Sequence, residues 1–209
     1  MRSTPGTRGT FTEVARRAQI VDCAVEAIAE LGYGAASIRK IAERVGVAMS
    51  VVLYHFGNKD DLVAAIVDRA YRTMLASMVP AVEAETSADG MVHAYIRTYT
   101  AYMKAHRTLL LAVAEIGSNY RSREGLRLDQ MVLAPDVRTE LAKVDLESIL
   151  AAVQRDGQVG GVPVKSFATA LRGVIDGSVA QIMRDPDFDA VGYGEDVAEM
   201  FDRMIAGNR

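Results

Sequence analysis

Tyr54, His55 and Lys59 are three side chains of the kinds that hold phosphate, placed within about one and a half helical turns. Directly behind them come Asp60 and Asp61, which suit the positive end of a helix dipole, and Asn58, a good N-cap. Backbone amides at such a helix start, with Lys59 beside them, form a ready anion site. Upstream, Ser37, Arg39 and Lys40 add a hydroxyl and two cations. This chemistry is the gripping of a polyanion. Bond-breaking constellations are missing. His55, His93 and His106 lack a Glu three residues earlier, so the paired Glu-x-x-His of a di-iron bundle is excluded. One cysteine and three scattered histidines offer no zinc spacing. No phosphate-binding Walker loop, nucleophile elbow or dinucleotide fingerprint is present. The chain reads as a non-enzyme that needs no cofactor and no metal.

The elements that must position these groups lie in residues 37–62, SIRKIAERVGVAMSVVLYHFGNKDDL. Ser37 is an N-cap, after which Ile38, Ile41, Ala42 and Val45 recur at helical spacing. Gly46 stands where a helix ends in a left-handed residue, and a second short helix follows within about three residues. Val47, Val52 and Phe56 supply that helix with a face to bury against the first. Two such helices form a helix-turn-helix, whose second helix lies in the DNA major groove. Arg39 is the best candidate for direct readout, since a guanidinium binds guanine O6 and N7 bidentately.

The run IAERVGVAMSVVLYHFGNKDDL resembles the signature of the TetR (tetracycline-repressor-like) family of transcriptional regulators. It shares an IA-x-x-x-GV turn, an aromatic-His-aromatic end to the recognition helix and an N/S-K-x-x-L start to the next helix. The likeness covers about the first 65 residues, including the GYGAAS connection. It implies that Ser37 and Arg39 stand beside the groove and that Met49, Ser50 and Val51 meet bases. It places Leu53, Tyr54, His55 and Lys59 on the sugar-phosphate backbone, with Lys40 a weaker candidate. This chain departs from the pattern at Ala48, Met49, Val51 and Leu53, where the family commonly carries Ser, Lys, Thr and Tyr. Its recognition helix is therefore poor in hydrogen-bond donors, and readout shifts toward thymine methyls, Ser50, Arg39 and DNA shape.

The 209 residues carry a net charge of −3, unevenly spread. Residues 1–59 hold eight basic and five acidic side chains, and the remaining 150 hold 16 and 22. A basic end on an acidic body fits a protein that presents one end to DNA. The apolar stretch near Leu109–Ala114 is too short to span a bilayer, and MRSTPGTRGT lacks the apolar core of a signal peptide. A cytoplasmic location without membrane contact is expected. Cys23, among Ile20, Val21, Ala24 and Val25, reads as a small buried hydrophobe.

The fold class expected is all-α, about nine helices: a helix-turn-helix DNA-binding domain over residues 1–58 and a larger helical domain over 59–209. Residues 1–9, with Arg2 and Arg8, read as a loose polar arm, and a first helix is predicted over 11–31. A fourth starts near Lys59 and is bent or ended by Pro80. Further helices are predicted over 88–105, 107–121, 136–157, 163–184 and 194–206, punctuated by Pro135, Gly157, Gly160-Gly161-Val162-Pro163 and Asp185-Pro186-Asp187.

The family resemblance also implies that the larger half binds a small-molecule effector and forms a homodimer through its last two helices. Candidate effector contacts are Tyr71, Met74, Met78, Tyr95, Tyr99, Tyr102, Met103, Glu115, Asn119 and Asp176, since Met fills irregular space and Tyr adds a hydroxyl handle. Candidate dimer contacts are Phe167, Leu171, Val174, Ile175, Phe201, Met204 and Ile205, with Gly173 and Gly177 permitting close helix approach. The mechanism implied is a repressor that binds palindromic double-stranded operator DNA as a dimer and releases it on binding a small, largely apolar effector. An activator of the same family, or a helical partner-binding module without DNA affinity, are the alternatives.

Overall fold

The computed structural model describes residues 6–156 and 162–206. Arg2, Gly157, Gly160 and Gly161 lie outside the described residues. Among those described there are ten α-helices, one short 3-10 turn and no strand, so the all-α reading holds. The helices are α1 (Gly6–Leu31), α2 (Ile38–Val45), α3 (Met49–Phe56), α4 (Lys59–Glu83) and α5 (Ala88–Ala105). They continue with α6 (Arg107–Asn119), α7 (Pro135–Lys143), α8 (Leu146–Arg155), α9 (Val164–Arg184) and α10 (Ala190–Ala206). No helix among the described residues is long and apolar enough to cross a membrane.

Packing divides the chain into two compact units: residues 1–70 with 108–132, and residues 71–107 with 133–209. The expected division at residue 58 is one of role; the units are divisions of packing. In the first unit Ile20, Ala24 and Ile28 of α1, Ile41 of α2, Val52 and Phe56 of α3, Leu62 and Ile66 of α4 and Ala112 and Ile116 of α6 are buried. The spacing of four within α1, α4 and α6 puts one stripe of each helix inward. Arg69 of α4 pairs with Asp22 of α1, and Arg44 of α2 pairs with Glu30 of α1. Cys23 is only half-buried, in contrast to the expected full burial.

In the second unit α5 and α10 run antiparallel. His93 meets Asp202 at 2.7 Å, Arg97 meets Glu195 at 2.8 Å and Lys104 meets Asp189 at 3.4 Å, so the pairing descends along α10 as it ascends α5. Gly194 faces Thr100 at close range: a Cβ built on Gly194 would lie 3.1 Å from Thr100 Cβ and 3.3 Å from Cγ2, and closer still to Oγ1.

Four boundaries differ from expectation. α1 begins at Gly6, shortening the supposed arm, and α10 begins at Ala190, four residues early. Pro80 does not end α4, which continues to Glu83 because Met78, Val79 and Val82 are buried around it. The helix predicted over 136–157 is two helices, broken at Val144-Asp145. There Asp145 accepts from the Ser148 amide at 2.9 Å and from its hydroxyl at 2.6 Å, capping α8.

Candidate functional site

The turn between α2 and α3 is built by local chemistry. Ser37 Oγ accepts the Lys40 amide at 3.3 Å, closing the first turn of α2. Gly46 sits at φ 77°, ψ 34°, a left-handed conformation that favours glycine, and its amide bonds back to the Ala42 and Glu43 carbonyls. Ile41, Ala42, Val52 and Phe56 close the inner face of the pair. What remains outside is the face expected to meet the bases. Met49 is 49% exposed and Tyr54 75%, with Ser50 and Leu53 also exposed and Val51 and His55 half-buried. α3 begins at Ala48 without a side-chain cap. Ala48→Ser is therefore expected to stabilise the chain by about 1 kcal/mol, read as a higher urea midpoint.

The cations around α3 divide into free and engaged. Arg39 is exposed, and its Nε donates to Glu43 one turn on at 2.9 Å, a surface pair that water and salt readily weaken. Lys40 is exposed as well, its ammonium without a partner among the described residues. Arg44 is spent on Glu30 and Glu26 of α1. Lys59 is turned inward: its Nζ donates to the Tyr33 carbonyl at 2.7 Å and lies 4.0 Å from the centre of the Tyr33 ring. Burial pushes its ammonium below the ordinary lysine value, with Asp60 opposing. Arg17, overlooked in the sequence, braces the end of α3 from α1. It donates to the His55 carbonyl at 2.7 Å and stacks over Phe56 at 4.1 Å, while the Tyr54 hydroxyl donates to Glu13 at 3.2 Å. α3 is thus a short helix held along its inner face and at its C-terminus, with its outer face open.

Residues 20–66, which span this turn and the helices flanking it, match the family described as bacterial regulatory proteins, tetR family. That stretch of the chain carries the TetR-type DNA-binding helices. Along most of its length it is similar to the nicotine-responsive transcriptional repressor HdnoR of Paenarthrobacter nicotinovorans, 28% identical over 177 residues that cover 84% of this chain and 88% of the relative. It is 25% identical over 188 residues to the fatty acid metabolism regulator protein of Bacillus subtilis, covering 87% and 91%. Among solved structures, the regulator FadR from Bacillus subtilis in complex with stearoyl-CoA has the same fold, with a TM-score of 0.67 at 24% identity over 91% of this chain and 98% of that one. A regulator from Pseudomonas aeruginosa PAO1 superposes with a TM-score of 0.70 at 19% identity, over 92% of this chain and 91% of that one. The relatives and the solved structures matched in this way are regulators of transcription.

The candidate effector contacts fall into different settings. Met78 and Met103 are fully buried, and Ser178 donates to the Met103 sulfur at 3.3 Å, so both act as core. Tyr102 is buried against His106, and Tyr71 and Met74 are half-buried on α4. Tyr95 and Tyr99 form an edge-to-face pair at 6.0 Å on α5. The hydroxyl of Tyr99 bonds to Asp176 of α9 and that of Tyr95 bonds to Arg172, and burial raises both phenols. Glu115 and Asn119 belong to the first unit instead. Glu115 Oε2 accepts the Tyr33 amide at 3.3 Å and the Asn119 amide at 3.1 Å, so it ties α6 to the α1–α2 connection. A cleft of about 300 Å³ between α4 and α7 is lined by Leu75, Val79, Pro80 and Val137 with Arg72, Asp136 and Glu140 at its polar edge, and by none of the candidates.

The dimer candidates need correction. Phe167, Leu171, Ile175, Phe201 and Ile205 are buried in the core of their own subunit, where Phe167 stacks on Phe201 at 6.0 Å. Of the seven, Val174 (38%) and Met204 (44%) are exposed. The apolar side chains that accompany them outward are Met183, Val191 and Met200. Gly173 and Gly177 lie on the open side of α9, where an added Cβ meets nothing within 4 Å.

Proposed function

We propose that this chain is a repressor that binds a palindromic operator duplex as a homodimer and releases it when a small, largely apolar effector binds. The observation that carries the reading is the outer face of α3. Met49, Ser50 and Leu53 are exposed, Tyr54 is exposed with its hydroxyl on Glu13, and Arg39 and Lys40 beside them hold no strong internal partner. A helix so presented fits a major groove about 12 Å wide. Residues 1–58 are then the reading head, and residues 59–209 sense the effector and pair the subunits. Tyr95, Tyr99 and Asp176 are the favoured polar contacts for the effector. Apolar chemistry agrees with the relatives' own names, one nicotine-responsive and one in complex with stearoyl-CoA. The exposed strip of α9 and α10 supports pairing, because small residues let helices approach closely and methionine fills the gaps.

The test is titration of duplex DNA from directly upstream of the chain's own coding sequence, at about 50 and 200 mM salt, against an unrelated duplex of equal length. The expected result is tighter binding to the upstream duplex, steeply weakened by salt, with protection of half-sites about 34 Å apart. Equal and feeble binding to both duplexes would remove the reading.

A further inference from the structure

The first turn of α4 follows α3 directly and is the part of the fold that must run beside a DNA strand if α3 occupies the groove. Its own charge is wrong for that place. Between Gly57 and Asp61 the ionised groups are Lys59, whose ammonium is turned onto Tyr33, and the carboxylates Asp60 and Asp61. Asp61 is engaged with Asn58, which donates through Nδ2 at 2.9 Å. Asp60 is engaged with the segment that follows α6. The Arg123 amide donates to Asp60 Oδ2 at 3.2 Å, and the Tyr120 hydroxyl bonds to the same carboxylate, beside which the phenol is pushed up to about 12, chiefly by burial.

That segment is a closed, tightly bonded turn. The Ser122 amide donates to the Leu126 carbonyl at 2.9 Å, and the Gly125 amide to the Ser122 carbonyl at 2.9 Å. Ser122 Oγ accepts the Glu124 and Leu126 amides at 3.2 and 3.0 Å. Gly125 at φ 82° takes the left-handed conformation that closing the turn requires. The turn carries Arg121, Arg123 and Arg127, all exposed. Arg127 is answered by Asp129 at 3.6 Å, and Arg121 donates to its neighbour's carbonyl. Arg123 has no side-chain partner among the described residues, although its backbone is fixed on the helix that adjoins α3.

We propose that this turn is a second phosphate-holding element and that Arg123 grips the sugar-phosphate strand flanking the groove occupied by α3, with Arg121 beside it. The proposal rests on the DNA-binding reading above. It supplies the cation that Lys59, turned inward, does not offer. Because the contact is to phosphate, it strengthens binding to every duplex and carries no sequence preference.

The experiment compares wild type, Arg123→Ala, Arg123→Lys and the double variant Arg121→Ala/Arg123→Ala, by fluorescence anisotropy on the upstream duplex and on a random-sequence duplex. For Arg123→Ala the slope of log affinity against log salt is expected to shrink by about 0.9, on both duplexes. Between about 50 and 200 mM salt the wild type would then lose roughly three- to fourfold more affinity than the variant. Arg123→Lys keeps the slope. Wild-type slope and affinity in both alanine variants would overturn the proposal and leave DNA binding intact. A loss in Arg123→Lys equal to that in Arg123→Ala would also overturn it, since the turn's packing would then be the cause. Wild type failing to bind either duplex overturns this proposal and the reading beneath it together.

Discussion

Gly194→Ala is expected to lower the stability of the chain by about 1–3 kcal/mol, although the same change inside an ordinary exposed helix adds roughly 0.5–1 kcal/mol. The opposite sign comes from Thr100. An added methyl at residue 194 would stand 3.1 Å from Thr100 Cβ and 3.3 Å from Cγ2, and it would overlap Oγ1. Thr100 cannot turn away cheaply. It is fully buried, and its hydroxyl is tied to the Ile96 carbonyl at 3.0 Å and the Arg97 carbonyl at 3.2 Å. The ion pairs on either side, Arg97 with Glu195 and Lys104 with Asp189, hold the two helices in register, so separation at residue 194 would strain both. Overpacking therefore outweighs propensity. Urea unfolding measures the loss, and the double variant with Thr100→Ala should recover part of it, a coupling of about 0.5–3 kcal/mol. A Gly194→Ala chain as stable as wild type would show that α5 and α10 do not cross as closely as described.

The parts of the molecule visible in the sequence are those governed by neighbours a few residues away. Ser37, Gly46 and Asn58 act through bonds to residues three or four positions distant, and each does in the fold what its type suggests. The position of Lys59 one turn after Tyr54 and His55 predicts a phosphate contact. Its actual direction is decided by Tyr33, 26 residues earlier, whose ring and carbonyl offer a closer partner than solvent. The break at Val144-Asp145 carries no glycine or proline and announces itself only by an aspartate three residues before Ser148, a weak cap pattern inside an otherwise helical run. On α9 both flanks are apolar, so Phe167, Leu171 and Ile175 could not be told from Val174 by periodicity. The difference between an inward and an outward stripe is set by where α5, α8 and α10 lie. Arg123 of the 121–127 turn looks like ordinary solvated charge until its backbone amide is found on Asp60.

Gly177→Arg is expected to convert the chain to a monomer and to weaken operator binding by about two to four orders of magnitude, the avidity that two linked half-site contacts provide. The position is chosen because the subunit itself has no use for it. An added Cβ at Gly177 meets nothing within 4 Å, so a longer side chain leaves the fold undisturbed and circular dichroism should not change. A two-fold interface brings the same patch of both subunits together, and one substitution therefore appears twice. If α9 packs on its copy across Val174 and Gly177, with Met200 and Met204 of α10 alongside, two bulky guanidiniums would be driven against each other in a largely apolar contact. Gly177→Ala serves as the companion change, adding a methyl without charge. Light scattering reads the mass and anisotropy reads the affinity. A Gly177→Arg chain that remains dimeric would place the interface elsewhere than on this face of α9. A monomer that still binds the upstream duplex at wild-type strength would mean that pairing of subunits contributes nothing to DNA recognition.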